Sequence, residues 1–278
     1  MAGFLGFGNY EKEGPGISKN APKKKPFFAF FETYFRNAWR FVTLNTVYIL
    51  CCIPILSVGL ANAGITNVTR NIARDKHSFG LSDYFETIKK NWKQSLVVGI
   101  LNLILTVLIS YGSYYYYFHQ SKNKAISFTD SLGFGICIFA AFVFTVMQYY
   151  MWTMLITFKL SIKNIYKNSF KFVFINLKKN FICFFSMILV YALFVGILLL
   201  ISLVNFPLAV AVTVVLSICF LPAFRFLLIQ FCTFPAIKKY MIDPYYEEHP
   251  NDDIELRKNL GLEVPGDEDE DEDEDSEE

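Results

Sequence analysis

Five amides and one arginine stand inside long apolar runs: Asn45, Asn62, Asn67, Asn102, Gln148 and Arg225. An amide in such a run must find a partner, either on a facing helix or in a substrate. The bond across a helix interface is the structural reading; contact with a polar solute is the functional one. Arg225 has two readings as well. Counted from Pro207 it lies roughly 27 Å along a helix at 1.5 Å per residue, near an inner membrane edge where its head can snorkel to lipid headgroups. Alternatively it binds an anionic ligand. A second set is purely cationic. Lys159, Lys163, Lys167 and Lys171 recur every four residues. On a helix they form one stripe, extended by Ser161, Asn164 and Asn168. Ile162, Ile165, Phe172 and Val173 take the other side, as in a helix that lies on an anionic membrane surface. A straight continuation of the apolar segment before it is the alternative.

The elements that must hold these residues are apolar and long. From Arg36 to Lys76 the chain is a hairpin with basic ends, uncharged between Arg40 and Arg70 and interrupted at Pro54, Ser57 and Gly59. Proline has no N–H and disfavours helix at the preceding residue, so the chain turns there. The small run Gly59, Ala61, Ala63 and Gly64 suits close packing on a neighbouring helix. About 20 apolar residues cross a bilayer core. The expected architecture is an all-α polytopic transmembrane bundle of about six spans: 33–53, 57–75, 95–118, 131–158, 181–204 and 207–231. Tyr114–Tyr117 would anchor the outer end of the third span, since Tyr is enriched at membrane interfaces. The last two spans would hinge at Asn205–Pro207. Between the second and third, 77–94 reads as a polar loop with a short amphipathic helix.

Charge sets the orientation. The 278 residues carry a net charge of +1, yet no acid falls between Asp130 and Asp243, while 267–278 is almost entirely Asp and Glu. With Lys and Arg marking the cytoplasmic side, both termini and the loops 76–94 and 159–180 are expected inside, leaving Lys122 and Lys124 outside. Three units follow: a disordered basic segment 1–26, a membrane domain 27–240 and a disordered acidic tail 241–278. No apolar run follows a charged start in 1–26, which argues against a cleaved signal peptide. The cluster Lys23–Lys25 beside the aromatic PFFAFFETYF suits an anionic cytoplasmic leaflet. The tail is expected to stay free of the Lys stripe, which lipid headgroups occupy. Phe85-x3-Lys89-Lys90-Asn91-Trp92 has a counterpart in Phe174-x3-Lys178-Lys179-Asn180-Phe181, either a repeat of three spans or the ordinary start of an outward helix.

Catalytic patterns are missing. There is no P-loop, no H-E-x-x-H and no nucleophile elbow. The membrane interior holds no Asp or Glu, Asp75 standing at the very end of the second span, unlike carboxylate proton relays. The cysteines Cys51, Cys52, Cys137, Cys183, Cys219 and Cys232 form no C-x-x-C pair, and His77, His119 and His249 are scattered. No metal, cofactor or nucleic-acid partner is expected, and the chain reads as no enzyme.

Leu44-Asn45, Pro54-Ile55-Leu56-Ser57-Val58-Gly59, the small residues at 61–64, Arg70, Arg74, Tyr84-Phe85 and Lys89-Lys90-Asn91-Trp92-Lys93 resemble the YesL-like family. Its members are small integral membrane proteins, mainly of Gram-positive bacteria. The leader Pro15-Gly16, Ala21-Pro22-Lys23-Lys24-Lys25 and Phe30-Phe31-Glu32 looks like clostridial members; Asn62 departs from the pattern. The resemblance is specific over about 20–95. It implies a protein of the cytoplasmic membrane accessory to carbohydrate uptake, with subunits of a carbohydrate ABC importer as partners and anionic lipid around it. It implies no catalytic or ligand residues. The alternative is a small transporter or channel in its own right.

Overall fold

The computed structural model describes residues 26–76, 78–122 and 128–248. The cluster Lys23–Lys25, His77 and the acidic tail from 249 onward lie outside them, as do the expectations of disorder for 1–25 and 249–278. The described chain is helical throughout: α1 Pro26–Arg36, α2 Ala38–Cys52, α3 Val58–Ala73, α4 Leu81–Lys122, α5 Phe128–Thr157, α6 Ile162–Ile175, α7 Leu177–Ser202, α8 Phe206–Ile237 and α9 Asp243–Glu248. A 3-10 turn, Ile55–Ser57, joins α2 to α3, and a π turn, Lys238–Ile242, joins α8 to α9.

Helix α3 is the centre of the bundle. Nine of its sixteen residues are buried, and it packs on α2, α4, α5 and α8. Its small residues allow this. A Cβ on Gly59 would stand 2.7 Å from the Gly99 Cα of α4 and closer still to the Ser95 carbonyl oxygen, so the two backbones touch. The long helices expose their apolar faces instead. Leu189, Leu199 and Leu200 of α7, Leu103, Ile104 and Val107 of α4, and Ile136 and Phe139 of α5 are all exposed. Apolar surface of this extent is consistent with a membrane protein.

Four helices are long and apolar enough to cross a membrane, those containing α4, α5, α7 and α8. The six crossings expected from sequence are therefore not all matched by helices of spanning length. The difference is the α2–α3 hairpin. Its helices have 15 and 16 residues, about 22 and 24 Å of rise against roughly 30 Å of hydrocarbon. Its first arm also starts later than expected. The stretch from residue 33 is shared between α1 and α2, broken at Asn37, whose side chain donates to its own helix at the Thr33 carbonyl.

Boundaries move elsewhere for physical reasons. The amphipathic segment before the third span is no separate helix: α4 runs unbroken over 42 residues from Leu81. The charged residues of 83–93 are good helix formers, and no proline intervenes. After α5 the chain breaks at Phe158–Ser161, and Ser161 caps α6 by accepting from the Asn164 N–H at 3.4 Å. Lys163, Lys167 and Lys171 thus lie on a helix of their own and not on a continuation of α5, while Lys159 falls in the break before it. Asn205 opens α8 with Pro207 in the first turn, its Oδ1 accepting from the Leu208 N–H at 2.9 Å. Helix α8 passes residue 231, and the chain stays helical to Glu248, with Ile242 and Tyr246 buried against α6 and α8 residues. Residues 241–248 accordingly belong to the packed domain and not to the tail.

Candidate functional site

The polar side chains of the bundle form a seam between α3, α4, α5 and α8. Asn45 is fully buried and works on α8. Its Nδ2 donates to the Cys219 carbonyl at 2.7 Å, and its Oδ1 accepts from the Ala223 N–H at 2.7 Å. Those two backbone groups flank Pro222, which opens the helix. A proline removes one helical hydrogen bond and its ring pushes against the preceding turn. Asn45 fills the gap.

The other amides are engaged likewise. Asn62 accepts from the Tyr48 hydroxyl at 2.9 Å across the hairpin. Asn67 donates to Thr87 Oγ1 of α4 at 2.7 Å and accepts from Arg70 at 2.8 Å. Asn102 accepts from the Tyr166 hydroxyl of α6 at 2.7 Å and donates to Gln148 Oε1 at 3.4 Å. Gln148 also accepts from Trp152 Nε1 at 3.3 Å. Each of the five therefore reaches a protein partner, which is the structural reading of an amide in an apolar run. Arg225 is half-buried, its guanidinium carbon 5.6 Å from the Phe226 ring centre. With Thr66, Gln148 and Gln230 it lines a small cleft inside the bundle. It faces helices α3 and α5, and not the lipid surface alone.

The four stripe lysines, Lys159, Lys163, Lys167 and Lys171, are all exposed, while Ile165, Ser169, Phe172 and Val173 are buried. The structure thus separates this surface from the buried seam. Ile162 is only partly buried. The counterpart segments at Phe85 and Phe174 place their asparagines differently. Asn91 donates within α4 to the Thr87 carbonyl at 3.1 Å, whereas Asn180 joins three helices.

Asn180 belongs to a group that the sequence reading missed. Its Nδ2 donates to the Phe172 and Val173 carbonyls at 3.0 Å each, and its Oδ1 accepts from the Tyr150 hydroxyl at 2.6 Å. Asn176 Nδ2 donates to that same hydroxyl oxygen at 2.9 Å. At the end of α6 the Phe172 carbonyl accepts from the Asn176 N–H at 3.3 Å, and Asn180 adds a donor to it and to the Val173 carbonyl beside it. Asn180→Ala is expected to lower stability by about 2 kcal/mol, and Tyr150→Phe by about 1 kcal/mol, because the first strips buried carbonyls and the second only a hydroxyl. Denaturant unfolding of the detergent-solubilised protein measures both. Gln230 was also missed. Its Nε2 donates to Thr153 Oγ1 at 3.0 Å, and its place in an apolar run was the same signal that Gln148 gave.

The seam ends inward in cations. Arg70 donates from Nη1 to Thr157 Oγ1 at 2.6 Å and from Nη2 to Asn67 Oδ1. One turn on, the Arg74 guanidinium carbon lies 4.7 Å above the centre of the Phe234 ring. The Lys76 ammonium is held below its ordinary pKa by burial first and by Arg74 and Arg70 next. Asp75, in the left-handed region at φ 51, pairs with Arg36 of α1.

No curated protein and no solved structure matches the chain. Residues 41–113, from α2 through the hairpin to the C-terminal half of α4, match a family model; over that stretch the chain is similar to the family described as Protein of unknown function, DUF624.

Proposed function

We propose that this chain is a non-enzymatic integral protein of the bacterial cytoplasmic membrane that assists carbohydrate uptake by an ABC importer, with both termini cytoplasmic. One observation carries the non-transporting part of this reading: each of the five amides offered by the apolar runs reaches a protein partner, so their polar capacity holds helices together. The link to carbohydrate uptake rests on the YesL-like resemblance, and the DUF624 match covers most of the stretch that carries it. Purification in mild detergent tests the reading. Stoichiometric recovery of importer membrane subunits is expected, whereas sugar uptake by the purified protein alone in liposomes would favour the transporter and overturn it.

For topology, the register of the hairpin supports four crossings in place of six. Gly59, at the start of α3, touches Ser95 and Gly99 of α4. Beyond Gly99, α4 runs on to Lys122, roughly 34 Å at 1.5 Å per residue, which by itself spans a hydrocarbon core. On the other side, α3 descends beside the stretch of α4 that exposes Glu86, Lys89, Lys90 and Lys93. Exposed lysines do not lie in hydrocarbon. The hairpin therefore dips its exposed tip, Ile53, Pro54, Ile55 and Leu56, into the inner leaflet and returns. Four crossings keep both termini on one side and leave Lys122 and Lys124 as the outside cations, as six would. A cysteine at Asn164, exposed on α6, is expected to resist an impermeant maleimide added to intact cells, whereas one at Ser121 reacts. Ser169, fully buried, is protected on either side and cannot report.

A further inference from the structure

We propose that Arg70 and Arg74 form a binding site for a phosphate group at the inner end of α3. The inference rests on their geometry and is independent of the carbohydrate reading. Arg70 has two nitrogens held by Thr157 and Asn67, while its Nε is enclosed and meets no acceptor. Arg74 lies over Phe234, and both its Nη1 and Nη2 are enclosed without an acceptor. Enclosed donors on a charged group are costly, and few are left unmet in folded proteins. Stacking on Phe234 fixes the Arg74 plane and leaves its edge as a two-pronged donor, the geometry that recognises an oxyanion.

Asp75 pairs with Arg36, and Asp83 of α4 accepts from the Ser78 hydroxyl and the Phe79 N–H. Glu86 points outward from α4 and is exposed. Helices α5 and α8 carry no acid beyond Asp130, at the far end of α5. Lys76 adds a third cation nearby. Arg70 and Arg74, held in place by Asn67, Thr157 and Phe234, are arranged for an anion. Their place names the chemistry. Arg70 and Arg74 lie past Asn67, which meets Thr87, and so stand beside the first turns of α4, on the polar side of Lys89 to Lys93, where a lipid phosphate and free phosphate can both reach. A phospholipid headgroup and free inorganic phosphate share the group recognised.

The test uses the full chain in phosphate-free detergent and reads thermal unfolding. One arm adds inorganic phosphate at ionic strength matched with chloride; the other adds phosphatidylglycerol against phosphatidylcholine in mixed micelles. At a hundredfold excess over the dissociation constant, binding is expected to raise the midpoint by about 5–10 °C. A response to inorganic phosphate identifies a soluble ligand, and a response to phosphatidylglycerol alone identifies the headgroup. Arg74→Gln is expected to abolish the rise, and the surface pair K163Q/K167Q to keep it. Should Arg74→Gln not fold, Arg70→Lys, which keeps the charge but loses the fork on Thr157 and Asn67, should at least halve it. No rise in either arm for the natural chain, or a rise that survives these Arg substitutions, overturns the proposal.

Discussion

Asn45→Ala is expected to destabilise the bundle by about 3 kcal/mol, the cost of leaving a buried donor and a buried acceptor unmet together. Most of that loss is expected to vanish when Pro222 is replaced by alanine in the same chain. The reasoning is local to α8. Proline at 222 crowds the preceding turn, and the Cys219 carbonyl and Ala223 N–H on either side of it both bond the Asn45 amide. Alanine at 222 restores an N–H and removes the ring that forces the helix apart. The backbone can then close its own ladder, and Asn45 becomes dispensable. A double-mutant cycle on unfolding in detergent reads the coupling directly. Independent losses that simply add would show that Asn45 and Pro222 do not act as a unit.

Gly59→Val is expected to cost more than 3 kcal/mol and to leave little folded protein, beyond the usual range for overpacking because the obstacle is backbone. The added side chain would collide with the Ser95 carbonyl and the Gly99 Cα, neither of which can rotate aside. Helix α3 would have to move off α4, and with it the contacts of its buried face. Gly99→Ala meets the same contact from the other side, 2.7 Å from the Gly59 Cα. Gly135 and Gly196 have open space where a Cβ would go, so alanine there is expected to be tolerated. Fluorescence-detected size exclusion in detergent separates the two outcomes: aggregated for Gly59→Val, monodisperse for Gly135→Ala and Gly196→Ala.

Much of the architecture was legible in the residues themselves. The Pro54 turn, the Asn205–Pro207 hinge and the apolar spans are local features, and local chemistry announces them. Tyr114, Tyr115 and Tyr117 are exposed toward the C-terminal end of α4. Partners were not legible. Asn45 was visibly a polar group in an apolar run, yet its partners lie more than 170 residues away on α8. Arg70 and Arg74 were read only as marks of the cytoplasmic side, because spacing along α3 does not disclose Thr157 or Phe234. Register was the largest omission. An apolar hairpin long enough for two crossings does not disclose its register on α4, which is set where Gly59 meets Gly99. The continuity of α4 from Leu81 was hidden by its change from charged to apolar at about residue 95, although a helix tolerates that change without a break.

The hairpin's height in the bilayer is the point on which the account turns, and cysteine labelling at its tip measures it. Ile55→Cys, in a background cleared of native cysteines, is treated in intact cells with a membrane-impermeant maleimide, beside Ser121→Cys at the outer end of α4. The account predicts strong labelling at 121 and none at 55, because the tip ends in the inner leaflet. Labelling of Ile55→Cys from outside, comparable to that at 121, would contradict it and restore the hairpin as a full pair of crossings.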